Sequence, residues 1–439
     1  MPVNSWVSVD EALPGGISRR RKSWGIIRVL ARPPSSTSFY CGGSALQRDM
    51  AADPHRGDLP HEFAANALIH FGFVVCGVVT ILLGPILPIL IARWSLSDEK
   101  AGLFFTLQFC GNLLGVASLG ALLSRRGYGT TLMAGYTSIA LGVAGLTFGS
   151  ERLSLVATIV FGYGLGLVLS GSNLWAAETS VARRAAAISV LNVAWGVGAI
   201  ACSPVVMFAQ RAHRLTPLLL AVAALSAMVA FGVAVMDVEP RAQKLAEAVK
   251  TRPTVGKPTA LALGGLFFLY VGTENSVGGW GAAFAKRLAP QGGNLWELAP
   301  MFFWGGLMAG RAFALVVLSK ISEKAFLVAG LIIAGVANGA LLWVTGYRVA
   351  MACMVVTGVG LACIYPLLVA WLVGYYGTQA RRSGNILFAL ASLGGATMPW
   401  LVGFISTHAT SLRAGLLAPL IGCLVMLGLQ LVLREPAPI

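Results

Sequence analysis

Two ionisable side chains stand deep inside apolar stretches of this 439-residue chain, Glu274 and Arg311. An ionisable group at the centre of a bilayer costs at least about 2.5 to 3.5 kcal/mol, so its retention there calls for a reason. Two are open: an ion pair fixing neighbouring helices, or a site for a solute or a proton inside a cavity. Gln108, Asn173, Asn192, Asn275, Asn338 and Asn385 also fall within apolar runs. Hydrogen bonding between helices is the commoner account of such residues, and contact with a solute is the other. Trp195, Trp280 and Tyr365 offer flat faces for a ring that has one apolar side and a polar rim. Trp94, Trp343 and Trp400 lie near the ends of apolar runs, where an aromatic belt meets the headgroups. Glu178, close to Arg183 and Arg184, reads as a surface ion-pair residue. The five histidines are scattered, and six of the seven cysteines sit in apolar runs without a CxxC pair. That pattern gives no metal site, and no nucleophile, base and orienting group can be assembled into an enzyme centre. No glycine-rich run precedes a Lys-Ser or Lys-Thr, so no ATP site and no cofactor is implied.

The elements that must carry these residues follow from composition. Hydrophobic residues make up 56% of the chain and charged residues 11%, against roughly a quarter charged in a soluble domain. Apolar runs able to cross a hydrocarbon core of about 30 Å recur along most of the sequence, and helices are the open-chain structure that satisfies its own backbone in lipid. Twelve spans are expected, at about 64–92, 101–123, 130–149, 153–177, 186–209, 215–236, 259–285, 296–318, 325–344, 348–374, 383–406 and 412–433. At about 1.5 Å per residue, Glu274 lies roughly 22 Å from the linker-side end of span 7, and Arg311 roughly 10 Å from that of span 8. The net charge of +15 sits in a tail and short loops without a nucleic-acid reading motif, so basic loops facing anionic lipid account for it and nucleic acid is not a partner.

The expected organisation is a tail at 1–62, six spans within 63–236, a linker at 237–258, six spans within 259–433 and a short C-terminal tail at 434–439. The first tail carries Arg19-Arg20-Arg21-Lys22 and Pro33-Pro34-Ser35-Ser36 and reads as disordered. Translation from Met50 would leave every span intact, so an over-extended start is the other reading. The linker holds Pro240, Pro253 and Pro258 and divides the spans six and six. An even number puts both termini on one side, and the excess of Lys and Arg there makes that side cytoplasmic, in a bacterial-type inner or plasma membrane.

The halves repeat at an offset of about 195 residues. Gly77 and Gly84 match Gly272 and Gly279, Gly111 and Gly115 match Gly306 and Gly310, and Gly164-Leu165-Gly166 matches Gly358-Val359-Gly360. Between spans 2 and 3 the chain reads Gly120-Ala-Leu-Leu-Ser124-Arg125-Arg126-Gly127-Tyr128-Gly129. That stretch resembles the G-x-L-x-D-R-x-G-R-R signature of the major facilitator superfamily, with Gly120, Leu122, Arg125 and Gly127 matching and Ser124 in place of the acid. The family's acid helps lock the two halves, so here that gating contact is missing or carried by another residue. Tyr270 to Trp280 in span 7, Gly310-Arg311 in span 8 and Leu191 to Gly196 in span 5 are similar to the fucose-permease branch. No acid lies between Ala64 and Trp94, where proton-linked permeases of that branch carry one.

The resemblance implies an all-α integral membrane protein of twelve helices in two pseudo-symmetric six-helix bundles. It further implies a secondary transporter working by alternating access, a monomer taking up a sugar or similar small polar solute with the proton as coupling ion. The site residues would be Glu274, Arg311, Asn275, Gln108, Asn173, Asn192, Trp195, Trp280, Tyr365 and Asn385. A proton-antiport exporter of amphipathic compounds and a non-transporting scaffold or receptor are the rival readings.

Overall fold

The computed structural model describes residues 59–180, 184–236, 238–239, 255–290, 295–318, 320–376 and 380–433. The readings of the tail before residue 59, of most of the linker and of residues 434–439 lie outside these. Among the described residues, ten helices are long and apolar enough to cross a membrane. One of them, Asp98–Gly145, is spans 2 and 3 in a single run of 48 residues, turned at Gly127, whose φ of 74° favours a residue without a side chain. Both limbs meet span 4 at one height, Gly115 near Gly166 and Gly135 near the Gly164 carbonyl, so the run reverses at that glycine. Ala299–Val317, which carries Arg311, is span 8, and with it the twelve spans are accounted for among the described residues.

Spans 4 to 7 are the helices Glu151–Thr179, Arg184–Arg211, Leu215–Val235 and Lys257–Leu288, and spans 9 and 11 are Glu323–Leu341 and Ala380–His408. Ser97, Ser150 and Ser322 start spans 2, 4 and 9 by accepting from the backbone N–H three residues on, which satisfies one of the orphan donors of a helix start.

Three spans are interrupted, and proline explains each. Pro85 and Pro88 bring no N–H, so the Ile81 and Gly84 carbonyls lose their helical donors, and span 1 runs as Leu59–Ile81 and Leu83–Trp94. Pro366 does the same to the Ala362 carbonyl, and span 10 runs as Tyr347–Leu361 and Ile364–Tyr376. Pro419 does it to Gly415 in span 12, which runs as Leu412–Gly415 and Leu417–Val432.

The glycine repeat marks the closest helix crossings. A Cβ on Gly77 would stand 2.0 Å from the Trp195 carbonyl oxygen and one on Gly198 1.9 Å from that of Val74, joining spans 1 and 5. In spans 7 and 11, a Cβ on Gly272 would stand 2.9 Å from the Gly394 carbonyl oxygen and one on Gly394 1.9 Å from that of Phe268. A Cβ on Gly111 would stand 2.2 Å from the Ile159 carbonyl oxygen between spans 2 and 4, and one on Gly306 2.3 Å from that of Val355 between spans 8 and 10. Without water to drive helices together, such backbone proximity is what packs them. Gly198→Val should therefore lower the unfolding temperature in detergent sharply, by an overpacking cost of about 2 kcal/mol or more. An unchanged melting curve would show that spans 1 and 5 can part without penalty.

Contacts between the first and last six spans concentrate from the middle of the bundle to the face opposite the linker. Thr106 Oγ1 donates to the Ala396 carbonyl at 2.7 Å, and the Glu99 N–H donates to Thr407 Oγ1 at 2.9 Å. Asp98 takes Arg287 on one carboxylate oxygen and the Ser406 hydroxyl on the other. Spans 2, 7 and 11 are thus latched at that face, which is closed.

Candidate functional site

The polar centre is built on the interruption of span 10. The Ala362 carbonyl, released by Pro366, accepts from Arg311 Nε of span 8 at 3.1 Å. One turn before Glu274 on span 7, Tyr270 donates its hydroxyl to Glu274 Oε1 at 2.9 Å. Among the described residues no ion pair within 4 Å joins Glu274 to Arg311; the Tyr270 hydroxyl instead lies within reach of both the carboxylate and the guanidinium. The two charged groups thus do not touch, and Tyr270 stands beside both, bonded to the carboxylate. Arg311 sits nearer the linker face than Glu274 and is committed to the freed carbonyl, which explains the gap. Tyr365, just past the interruption, lies with its ring centroid 5.8 Å from that of Tyr270 and meets Phe267 edge-on at 5.7 Å. Glu274, Asn275, Arg311 and Tyr365 are all half-buried, keeping accessible surface although they stand mid-bundle.

A second polar group joins the halves. Gln108 Nε2 donates to the Thr80 carbonyl at 3.1 Å, beside the interruption of span 1, and Trp195 Nε1 donates to Thr80 Oγ1 at 3.3 Å. Trp195 meets Trp304 edge-on with centroids 5.5 Å apart. Thr80, Phe105 and Gln108 from one half and Asn275 and Trp304 from the other enclose a space of about 10 Å³, room for roughly one water molecule. A third group is confined to the first half: Asn192 Nδ2 donates to Asn173 Oδ1 at 3.2 Å.

Other expected site residues are placed elsewhere. Trp280 is fully buried and donates its indole N–H to the Pro399 carbonyl at 2.8 Å, so it packs span 7 against span 11 rather than offering a face to a ligand. Asn385 is exposed, one turn before Phe388, whose ring meets Tyr365; Asn338, expected only as a polar residue within a span, is buried against Cys423. Sequence reasoning passed over Tyr270, Thr80 and Trp304, and also Asn112 and Ser392, whose side chains meet across the halves at 3.4 Å. A tyrosine four residues before a buried acid, and a proline four residues after a carbonyl, were the available signals.

In the gating stretch, Gly120, Ser124 and Arg125 are exposed, and Ser124 Oγ donates to its own helix at Ala121. The carboxylate that Ser124 lacks reaches this turn from just beyond span 6: Glu239 Oε1 accepts from the Gly129 N–H at 3.0 Å, and a Cβ on Gly127 would collide with it. Its neighbour Val238 accepts from Trp175 Nε1 at 2.6 Å. The Asp98–Arg287–Ser406 latch was also missed, because Asp98 reads in sequence as an ordinary loop charge.

No family model matches the chain. Among curated proteins it is 27% identical over 140 residues to sodium-dependent glucose transporter 1 of Danio rerio, a match covering 32% of this chain and 23% of that protein's length. Among solved structures it is similar to a D-xylose-proton symporter, with a TM-score of 0.71 at 14% identity over 86% of this chain and 99% of that one. The nucleoside transporter NupG matches with a TM-score of 0.64 at 13% identity over 84% and 97% of the two chains. A bacterial homolog of the human lysosomal transporter Spinster, in an inward-facing and occupied conformation, matches at 0.65 and 17% over 87% and 97%. The chain is an integral, multi-pass membrane protein with the twelve-helix, two-bundle fold of these major facilitator transporters.

Proposed function

We propose that the protein is a secondary transporter that moves a sugar or a similar polyhydroxylated solute by alternating access, in symport with protons. The observation that carries this is the polar cluster of half-buried Glu274 and Arg311 with fully buried Tyr270 around the interruption of span 10. Interrupted helices at mid-membrane are where many secondary transporters place their solute and coupling ion, and an ionisable residue inside the membrane is as a rule a mark of function. Carboxylate, guanidinium, phenol and amide groups in one lining suit hydroxyl-rich solutes. Trp195 and Trp304 add apolar faces for the ring. The span 7 motif similar to the fucose-permease branch, and neighbours whose names include a D-xylose-proton symporter and a glucose transporter, support the same class. The amphipathic-exporter reading calls for a lining of Phe and Leu, which this cluster is not.

In this reading residues 63–236 and 259–433 are the two bodies that rock, 237–258 tethers them, and the monomer works with both termini in the cytoplasm. The test is uptake into proteoliposomes of a panel of radiolabelled pentoses, hexoses, nucleosides and amphipathic cations, with and without an imposed pH gradient. Accumulation of a sugar or nucleoside when the outside is acidic is the expected result. Proton-driven extrusion of the amphipathic compounds alone would overturn the reading.

A further inference from the structure

Beside the closed face lies a second buried carboxylate, which the polar centre does not use. Glu297 belongs to the short 3-10 turn Trp296–Leu298 that leads into span 8. The turn packs against span 7 of its own half and against spans 1 and 5 of the other. Glu297 is 3% exposed, and its Oε2 has no hydrogen-bond partner among the described residues. The charges that act on it come from both halves, Lys286 at the end of span 7 and Arg211 at the end of span 5. Lys286 itself crosses the seam, donating to the Pro88 carbonyl of span 1 at 3.3 Å while its ammonium sits 4.9 Å from the Trp296 ring centre.

We propose that Glu297 is a proton-binding site of the gate, protonated when this face is closed and ionised when the halves part and water reaches it. A carboxylate oxygen with no donor, enclosed at a seam, is better matched by a carboxylic acid than by a carboxylate. Opening the seam would separate Glu297 from Arg211 and hydrate it. Burial pushes its carboxyl above the usual range, while a hydrogen bond to its own backbone, Arg211 and Lys286 pull the other way without cancelling that effect. The closed face therefore holds this proton more tightly than the open one. Closure is favoured as the pH falls, and the advantage is lost as the pH rises through the raised value. The proposal rests on the alternating-access reading only in taking this face to be one that opens.

The test reads the gate itself rather than transport. The Glu99 amide is hydrogen-bonded across the seam to Thr407, so hydrogen–deuterium exchange of segments 95–103 and 403–410, corrected for intrinsic rates, reports opening in the full chain in nanodiscs. Between about pH 5 and about pH 8 the wild type should exchange faster at the higher pH by about fivefold, the lower end of ordinary coupling between linked equilibria. Glu297→Gln, permanently neutral, should stay at the slow, low-pH rate throughout. Asp98→Asn, which weakens the latch, should raise exchange at every pH and keep the pH response. A wild-type pH response surviving in Glu297→Gln, a response lost only in Asp98→Asn, or a wild-type seam equally slow at every pH would each overturn the proposal. A protein that transports nothing from the panel yet shows this pattern would sink the function reading and leave the proton site standing.

Discussion

Arg311→Ala is expected to abolish solute movement in both exchange and gradient-driven modes, with initial rates falling by about a hundredfold or more. The substitution leaves the Ala362 carbonyl without its donor and the Glu274 carboxylate without the positive charge that acts on it. Leaving an acceptor unsatisfied away from water costs about 1 to 3 kcal/mol, more beside a charge, and each 1.4 kcal/mol lost from the working site is about tenfold. Arg311→Lys keeps the charge but not the flat donor that reaches the carbonyl, and should recover part of the rate. Counterflow and uptake measured on both variants, beside melting curves, separate loss of the site from loss of the fold. Near-normal rates in Arg311→Ala would show that the guanidinium is not part of the working site.

The second large effect is expected from Glu274→Gln, which should retain solute exchange while its pH-gradient-driven accumulation collapses toward equilibration. The amide can still accept from Tyr270, preserving that hydrogen bond, but it cannot take up and release a proton. A carboxylate whose phenol and guanidinium neighbours shift as the halves rock changes its hold on a proton with each stroke. If Glu274 only steadies span 7, Glu274→Gln should instead lower stability and expression without separating exchange from accumulation. Full accumulation by a well-folded Glu274→Gln protein would remove Glu274 from the coupling step and direct attention to another carrier.

The spans were legible because apolar length is a property of sequence alone, and the glycine repeat because contact between helix backbones excludes a side chain. Gly77 with Gly272 and Gly111 with Gly306 lie at like crossings in the two halves. Direction around a helix was harder to read. Trp280 follows Glu274 by six residues, which at about 100° per residue turns it some 120° away, into the packing with span 11. Tyr270, four residues before the acid, shares its face. The Asp98 latch and the Glu239 contact with the Gly127 turn join residues more than a hundred positions apart, and no local pattern announces such a meeting. The spacing of charges also gave no hint that a tyrosine would stand beside both Glu274 and Arg311.

The interruptions of spans 1 and 10 carry a consequence for alkali metal ions. Carbonyl oxygens released by a broken helix are the usual ligands for a sodium ion in a membrane protein. Here the released Ala362 oxygen faces a guanidinium, and the Thr80 oxygen beside the span 1 interruption, although not one that proline releases, faces the Gln108 amide, so each already has a donor at the place a cation would occupy. A sodium ion at Ala362 would also meet the charge of Arg311 head-on, a repulsion that weakens little in a medium of low dielectric constant. Replacing external sodium by potassium or choline should therefore leave solute uptake unchanged at fixed pH. A fall in uptake on sodium removal would mean that the ion is held by other oxygens, away from both interruptions.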